Sequence, residues 1–484
     1  MSSLISRSIV LGSARLLNQG LLMLSPILLV RLLDVEEYGW YRQFTVTAML
    51  LIAIGGFSIN GSVNYFVARL PEKAPRLVTN SCLLLLLTSL LVAVSVIVAH
   101  RVILPPGVRA YWPLLACYAF LYVNIDVIQP YLLARKESFA VMIYSVGQVV
   151  LRLSAVVGAA AWFGDVAMIF ISMVVVESVQ TLGQYAWLRH KGLLIHKLDA
   201  PLIQEQLHYI VPVGIAALVA SLNENMGKLL VGSVLGPTAL AIFTTAAYQI
   251  PVLTILKSAL GDVIFPDMVQ RSDRDPTAGL RLWQRANVVY FLFVCPVWML
   301  LTYYAEPVIR VLFTEKYVAA TPYFQAMLLL MIRHCFEFST PLRSVGRTKA
   351  IFVSNTTGML INLLLTWSLL STLKLWAPTL GLLTSQLWIM VFLAVAVRRR
   401  FKMSVAQALK WPALARIFLA GVLALIGVLA IEQFGSGPAT HLLAAGTFAV
   451  IYLIAVRLLR VEEFNYVVAG ITTHLIRSVR RPPA

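Results

Sequence analysis

The sequence predicts an all-α membrane protein of about fourteen transmembrane helices. Its composition, the length of its apolar runs and the placing of Lys and Arg between them carry that prediction. Of 484 residues, 60% are hydrophobic and 12% charged, against about 25% charged in a soluble chain. Too little polar surface remains to cover a water-soluble core. In lipid, only helices and closed barrels satisfy every backbone group. Strand-type alternation is absent, whereas unbroken apolar runs recur throughout.

The apolar segments are 8–33, 42–68, 78–100, 111–134, 139–163, 166–188, 207–235, 239–266, 286–304, 321–342, 350–373, 377–397, 412–431 and 440–459. Most approach the roughly 20 residues that cross a bilayer, and the longer ones allow for tilt. The first run is too long for a signal-peptide core and reads as the first membrane helix. Cys82, Cys117, Cys295 and Cys335 each fall inside a segment, without metal-ligand spacing, and read as small packing residues.

The formal charge of +18 is spread over short loops, a pattern that points to membrane orientation and not to nucleic acid. The even-numbered loops and the two termini hold 26 Lys and Arg, and the odd-numbered loops hold 7, Arg42 counted among them. Both termini are therefore expected in the cytoplasm, in an inner-membrane protein.

Val30–Tyr41 and Gly232–Phe243 match in pattern: a long helix, a short turn, then a helix opening on small and aromatic residues. This suggests two parallel six-helix lobes around a central cavity, at 1–195 and 196–402. Two further helices would occupy 403–460, and a basic cytoplasmic tail 461–484.

Ionisable and amide residues at membrane depth are costly and commonly line cavities. Tyr144, Gln148 and Arg152 lie four apart on the fifth segment, as do Tyr118, Tyr122 and Asp126 on the fourth. The sixth offers Glu177, Gln180, Thr181 and Gln184. Arg15, Asn18 and Gln19 share a face of the first, and Asn60 and Asn64 a face of the second. The seventh carries Glu224, Asn225 and Lys228; the eighth Tyr248, Gln249 and Lys257; the tenth Arg333, His334 and Glu337. The amides read equally well as hydrogen-bonding glue between helices. Glu224 with Lys228 and Arg333 with Glu337 are spaced to neutralise one another, as structural or coupling pairs. Arg15, Arg152 and Lys257 have no acid within four residues and are the candidates for binding an anion, although Asp126 or Glu177 could reach Arg152 across the bundle. Pro26, Pro212, Pro251 and Pro296 are expected bends. No phosphate-binding glycine loop, paired-histidine zinc motif or nucleophile elbow is present, so a transporter is favoured over an enzyme.

Gly12-Ser13-Ala14-Arg15 through Arg31-Leu32-Leu33-Asp34-Val35-Glu36-Glu37-Tyr38-Gly39 resembles the opening of bacterial polysaccharide flippases. These belong to the multidrug/oligosaccharidyl-lipid/polysaccharide exporter superfamily, and the six-plus-six layout is similar over residues 1 to about 402. The resemblance implies two lobes around a cavity. It also implies flipping of an undecaprenyl-diphosphate-linked oligosaccharide to the periplasmic leaflet, as in O-antigen or exopolysaccharide synthesis. Arg15, Arg152 and Lys257 would then meet the diphosphate. Asn18, Gln19, Asn60, Asn64, Tyr118, Tyr122, Tyr144, Gln148, Tyr248 and Gln249 would meet the glycan. Partners would be the lipid-linked glycan, membrane lipids and a polysaccharide polymerase with its export machinery. No cofactor is implied, and coupling to a proton or sodium gradient stays open. An ion-coupled drug exporter of the same superfamily should carry unpaired acids in its cavity. A membrane glycan polymerase or ligase should carry a long periplasmic loop, and every expected outer loop here is short.

The topology has a direct check. Reporter fusions at Lys197 and at Lys374 are expected to report the cytoplasm and the periplasm respectively. The same compartment at both would contradict the expected helix count.

Overall fold

The computed structural model describes residues 2–195, 198–248, 261, 264, 265, 267–272, 275–404, 406–433, 435 and 437–465, and every regular element among them is helical. Among the described residues, eleven helices are long and apolar enough to span a membrane, or twelve with one bent pair counted as a span. Two expected segments are not among them. The eighth lies largely outside the described residues. The tenth is divided into a helix at Thr321–Arg333, a 3-10 turn at His334–Phe336 and a helix at Ser339–Ser344.

The fold divides into two compact units. The first comprises Met1–Thr245, Arg310–Ala320 and Thr366–Pro378; the second comprises Ala246–Ile309, Thr321–Leu365 and Thr379–Ala484. In the first unit the helices are α1 (Ser2–Leu32), α2 (Val35–Gly56), α3 (Ile59–Arg69), α4 (Ala74–Ile103), α5 (Trp112–Asn124), α6 (Ile128–Ala134), α7 (Ser138–Phe163), α8 (Val166–His190), α9 (Ala200–Val234) and α10 (Pro237–Ala246). α1 packs along α7, α7 on α8, and α5 on α2, α4 and α8. The core of the second unit joins Val288, Phe291 and Cys295 on the helix Pro276–Tyr303 to the final pair of helices, Trp411–Glu432 and Pro438–Leu458. Tyr452 ties that pair down by donating to the Leu292 carbonyl at 2.7 Å.

α2 begins seven residues before the apolar run that announced it. The Glu37 carboxylate accepts from the Asp34 N–H at 2.9 Å and closes the first turn. Arg42 is therefore inside a helix, a correction to its assignment to an outer loop. Gly39 permits a close approach: a Cβ there would fall 2.1 Å from the Pro237 carbonyl oxygen. At this end of the unit Arg31 donates to the carbonyls of Leu312 and Val311 at 2.9 and 2.6 Å, and Lys316 pairs with Asp34 at 2.7 Å.

Two spans of the first unit are broken. α2 and α3 meet at 42°. Phe57 and Ser58 between them adopt left-handed backbone, φ 36° and 59°, which disfavours residues with a side chain. Thr88 of α4 caps the freed Gly55 carbonyl at 2.6 Å. The fourth span breaks at Ile125–Val127, four residues before Pro130. A proline has no N–H for the Asp126 carbonyl, and its ring would clash with that carbonyl in a continuous helix. α1, α9 and the helix Pro276–Tyr303 run through Pro26, Pro212 and Pro296, while Pro251 lies outside the described residues.

Gln184 of α8 repairs the second break. Its carbonyl oxygen accepts from the N–H groups of Val127 and Ile128 at 3.0 and 3.4 Å, and its amide donates to the Asn124 carbonyl. Tyr144 of α7 donates to the Ile125 carbonyl at 3.3 Å. A buried backbone group left without a partner costs about 1–3 kcal/mol. Gln184→Leu, which unpairs three such groups, is therefore expected to lower the thermal unfolding midpoint in detergent markedly. An unchanged midpoint would show that the clamp does not hold the break.

Candidate functional site

A cavity of about 270 Å³ lies within the first unit, between α1, α2, α5, α7 and α8. Its polar wall is formed by Ser25, Tyr41, Arg42, Thr45, Tyr118, Tyr122, Arg152 and Glu177. Two lining residues are cationic, Arg42 and Arg152, and one is anionic.

Arg152 is not the acid-free cation suggested by its immediate sequence. It makes a two-point pair with Glu177: Nε donates to Oε1 at 2.6 Å and Nη2 to Oε2 at 3.0 Å. Its guanidinium carbon sits 4.4 Å from the Tyr122 ring centroid, a cation–π distance, and Nη1 reaches the Tyr122 hydroxyl at 3.5 Å. The Glu177 side chain is 1% exposed and that of Arg152 25% exposed, so the guanidinium is the part of the pair still open to the cavity. Removing either charge alone would leave its partner buried and uncompensated, a cost of about 3–5 kcal/mol.

A ladder of polar groups runs from this pair to the break in the fourth span. One turn along, the Gln148 amide nitrogen on α7 and both amide atoms of Gln180 on α8 are buried without a hydrogen-bond partner among the described residues. A further turn brings Tyr144 and Gln184, at the break itself. There Asp126 stands in the broken turn and accepts from the Asn60 amide at 3.2 Å. The sequence placed Asp126 on a continuous helical face with Tyr118 and Tyr122. Those two tyrosines do share α5, with ring centroids 5.6 Å apart, but the chain leaves the helix before Asp126. Buried orphan donors and acceptors of this kind are uncommon and mark places where water or a polar ligand belongs.

The other expected residues are placed as follows. Arg15 is exposed on α1, six residues and about 9 Å of helix before Leu21, the nearest α1 residue lining the cavity. Gln19 is exposed; Asn18, Asn64 and Tyr248 are partly buried. Lys257 and Gln249 lie outside the described residues, so the expected cluster of Arg15, Arg152 and Lys257 is not assembled among those described. Lys228 donates to Asn225 at 3.3 Å, and the exposed Glu224 acts on it electrostatically from one turn earlier without a hydrogen bond between them. Arg333 ends its helix and lies 3.5 Å from His334 Nδ1, and Glu337 accepts from Ser339; the two do not share a helical face, although Glu337 still acts electrostatically on Arg333.

Arg42 is the residue that sequence reading missed. Its Nε is buried without a partner among the described residues, and it acts electrostatically on Lys228 of α9. The cap at Asp34 and Glu37, which moves the helix start upstream, was the available signal. The described residues hold no cluster of His, Cys, Asp and Glu able to bind a metal.

The model of the family described as "Polysaccharide biosynthesis protein" matches residues 28–322. No curated protein sequence matches the chain. Among solved structures, the lipid II flippase MurJ in an inward closed conformation aligns with TM-score 0.71 and 12% identity, over 94% of this chain and 99% of that one. An inward-facing multidrug resistance MATE transporter aligns with TM-score 0.60 and 14% identity, over 79% and 94%. A transporter of the multidrug/oligosaccharidyl-lipid/polysaccharide exporter superfamily from Pyrococcus furiosus aligns with TM-score 0.55 and 14% identity, over 83% and 95%. The chain thus has the fold of that superfamily and belongs to the polysaccharide biosynthesis protein family.

Proposed function

We propose that this chain flips an undecaprenyl-diphosphate-linked oligosaccharide from the cytoplasmic to the periplasmic leaflet by alternating access, for surface polysaccharide synthesis. The observation that carries the reading is the charge of the cavity: Arg42 and Arg152 against a single carboxylate, Glu177, that Arg152 already engages. A guanidinium presents a planar fork of N–H donors that matches phosphate oxygens, and its charge persists at membrane depth. The family match and the superfamily fold support the same reading. Arg15 and Lys257 remain candidates for phosphate contacts elsewhere along the path.

A volume of about 270 Å³ falls below the usual range of about 300–1,000 Å³ for ligand sites. It suits a diphosphate and excludes an oligosaccharide, so the glycan would occupy other polar surfaces. An ion-coupled drug exporter is the alternative. It would need a free carboxylate to attract a cationic drug, and the cavity's one carboxylate is held in a two-point pair.

Arg42 gives the cleaner test, because its removal leaves no protein carboxylate unpaired. In cells lacking the native gene, with protein levels checked, Arg42→Gln is expected to cut glycan export about tenfold or more, and Arg42→Lys to retain most of it. The paired substitution Arg152→Gln with Glu177→Gln removes a cation without stranding an acid, and should also reduce export. Full export by the chain carrying all three Gln substitutions would overturn the reading.

A further inference from the structure

A second recess lies in the same unit, where the end of α3 and the turn after it face the first turns of α9. It is an open cleft of about 880 Å³ and shares no residue with the Arg42–Arg152 cavity. Tyr65 and Tyr209 stack in its wall, centroids 4.7 Å apart and planes within 12°. Arg69 donates to the Tyr65 hydroxyl at 3.2 Å, and Lys73 and His208 stand beside it. Arg69 and Lys73 are exposed and make no ion pair among the described residues; the one carboxylate in the wall is Glu205. His208 is exposed, and its Nδ1 lies 2.9 Å from the Gln204 carbonyl, so that nitrogen is the donor.

Two cations set beside stacked aromatic rings make a specific chemistry. The cations meet phosphate oxygens. The ring faces, negative at their centres, meet the weakly positive C–H face of a sugar. The volume is near the upper end of the range for small-molecule clefts, well beyond what one phosphate fills. Tyr65 stacks on Tyr209 by one face and, at 42% exposure, keeps part of its ring open to a ligand.

We propose that this cleft is a receiving site for the phosphate–sugar headgroup of the lipid-linked substrate, occupied before the headgroup reaches the cavity. The proposal rests on the flippase reading and adds a second site to it. Met49 of the cavity and Tyr65 of the cleft lie on one broken span, separated by about 24 Å of helix path. The break at Phe57–Ser58 lies between them, so the two sites sit on separately angled halves of the span.

Phosphate is also the headgroup chemistry of ordinary anionic lipids, and the test separates the two sources. Native mass spectrometry of the full chain in neutral detergent would measure apparent affinity for three probes. These are a polyprenyl diphosphate bearing one N-acetylhexosamine, the same diphosphate without sugar, and phosphatidylglycerol. Arg69→Gln combined with Lys73→Gln is expected to weaken both diphosphates about tenfold and phosphatidylglycerol less than twofold. Tyr65→Leu should weaken the glycosylated probe more than the bare one. All three residues are exposed, and matching unfolding midpoints would confirm that the variants fold. Equal losses for all three probes would overturn the proposal in favour of a general lipid seat. Unchanged diphosphate binding by these variants, with a loss in Arg42→Gln, would overturn the cleft and leave the flippase reading standing. A wild-type chain that binds phosphatidylglycerol but neither diphosphate would overturn both.

Discussion

Hydrocarbon offers a backbone amide no partner, so a span can depart from helical geometry only where other protein groups take over the hydrogen bonds. The first unit makes two such departures. Around the break in the fourth span, Gln184 takes two N–H groups and one carbonyl, and Tyr144 takes another carbonyl. At the break between α2 and α3, Thr88 takes the Gly55 carbonyl. A Cβ on Gly214 of α9 would lie 2.7 Å from the Phe57 carbonyl oxygen, so only a glycine lets α9 close against the turn. These side chains hold the bent backbone that turns Asn60 and Asp126 toward each other.

The polar ladder follows from the same constraint. α7 and α8 each supply a polar residue at successive turns. The turn at the break is spent on backbone repair, the next carries the Gln148 amide nitrogen and the Gln180 amide without partners among the described residues, and the next the Arg152–Glu177 pair. A polar group in lipid must be matched or wetted. A run that passes from fully matched to unmatched groups therefore marks where protein packing gives way to a space for water or ligand. Arg42 lines the neighbouring cavity from α2, its Nε unmatched among the described residues, and this second cation gives the cavity a positive balance despite its ion pair.

Much of this was legible in the sequence, and the failures have definite causes. Apolar runs located the long helices because a span needs a fixed length of apolar chain. The four-residue spacing of Tyr144, Gln148 and Arg152 identified the polar face of α7. Glu177 was named as a residue able to reach Arg152, but helical spacing says nothing about contacts between helices, so Arg152 read as locally acid-free. Arg42 was misplaced because hydropathy marks where a helix enters lipid, whereas Asp34 and Glu37 mark where it starts. The break after Asn124 had a signal in Pro130, which acts on the carbonyl four residues earlier and is easily passed over near a segment end. The break at Phe57–Ser58 follows Gly55-Gly56, a pair that permits a bend without specifying one.

The Arg152–Glu177 pair also bears on how a transport site could release its cargo. A site that binds an anion with several unopposed cations would hold it too tightly to turn over, and conduction needs binding weak enough to leave. Here Glu177 occupies two donors of Arg152 and Tyr122 covers its face, which leaves Nη1 as the group best placed to engage an incoming phosphate. Under the flippase reading, the guanidinium would keep its carboxylate when the anion departs and would not become an isolated charge at membrane depth. The Arg42 Nε has no partner among the described residues, so on the same reading Arg42 would pull on the anion without that buffering. Under the flippase reading, Arg42 draws the diphosphate in, and the Arg152–Glu177 pair limits how tightly it is held.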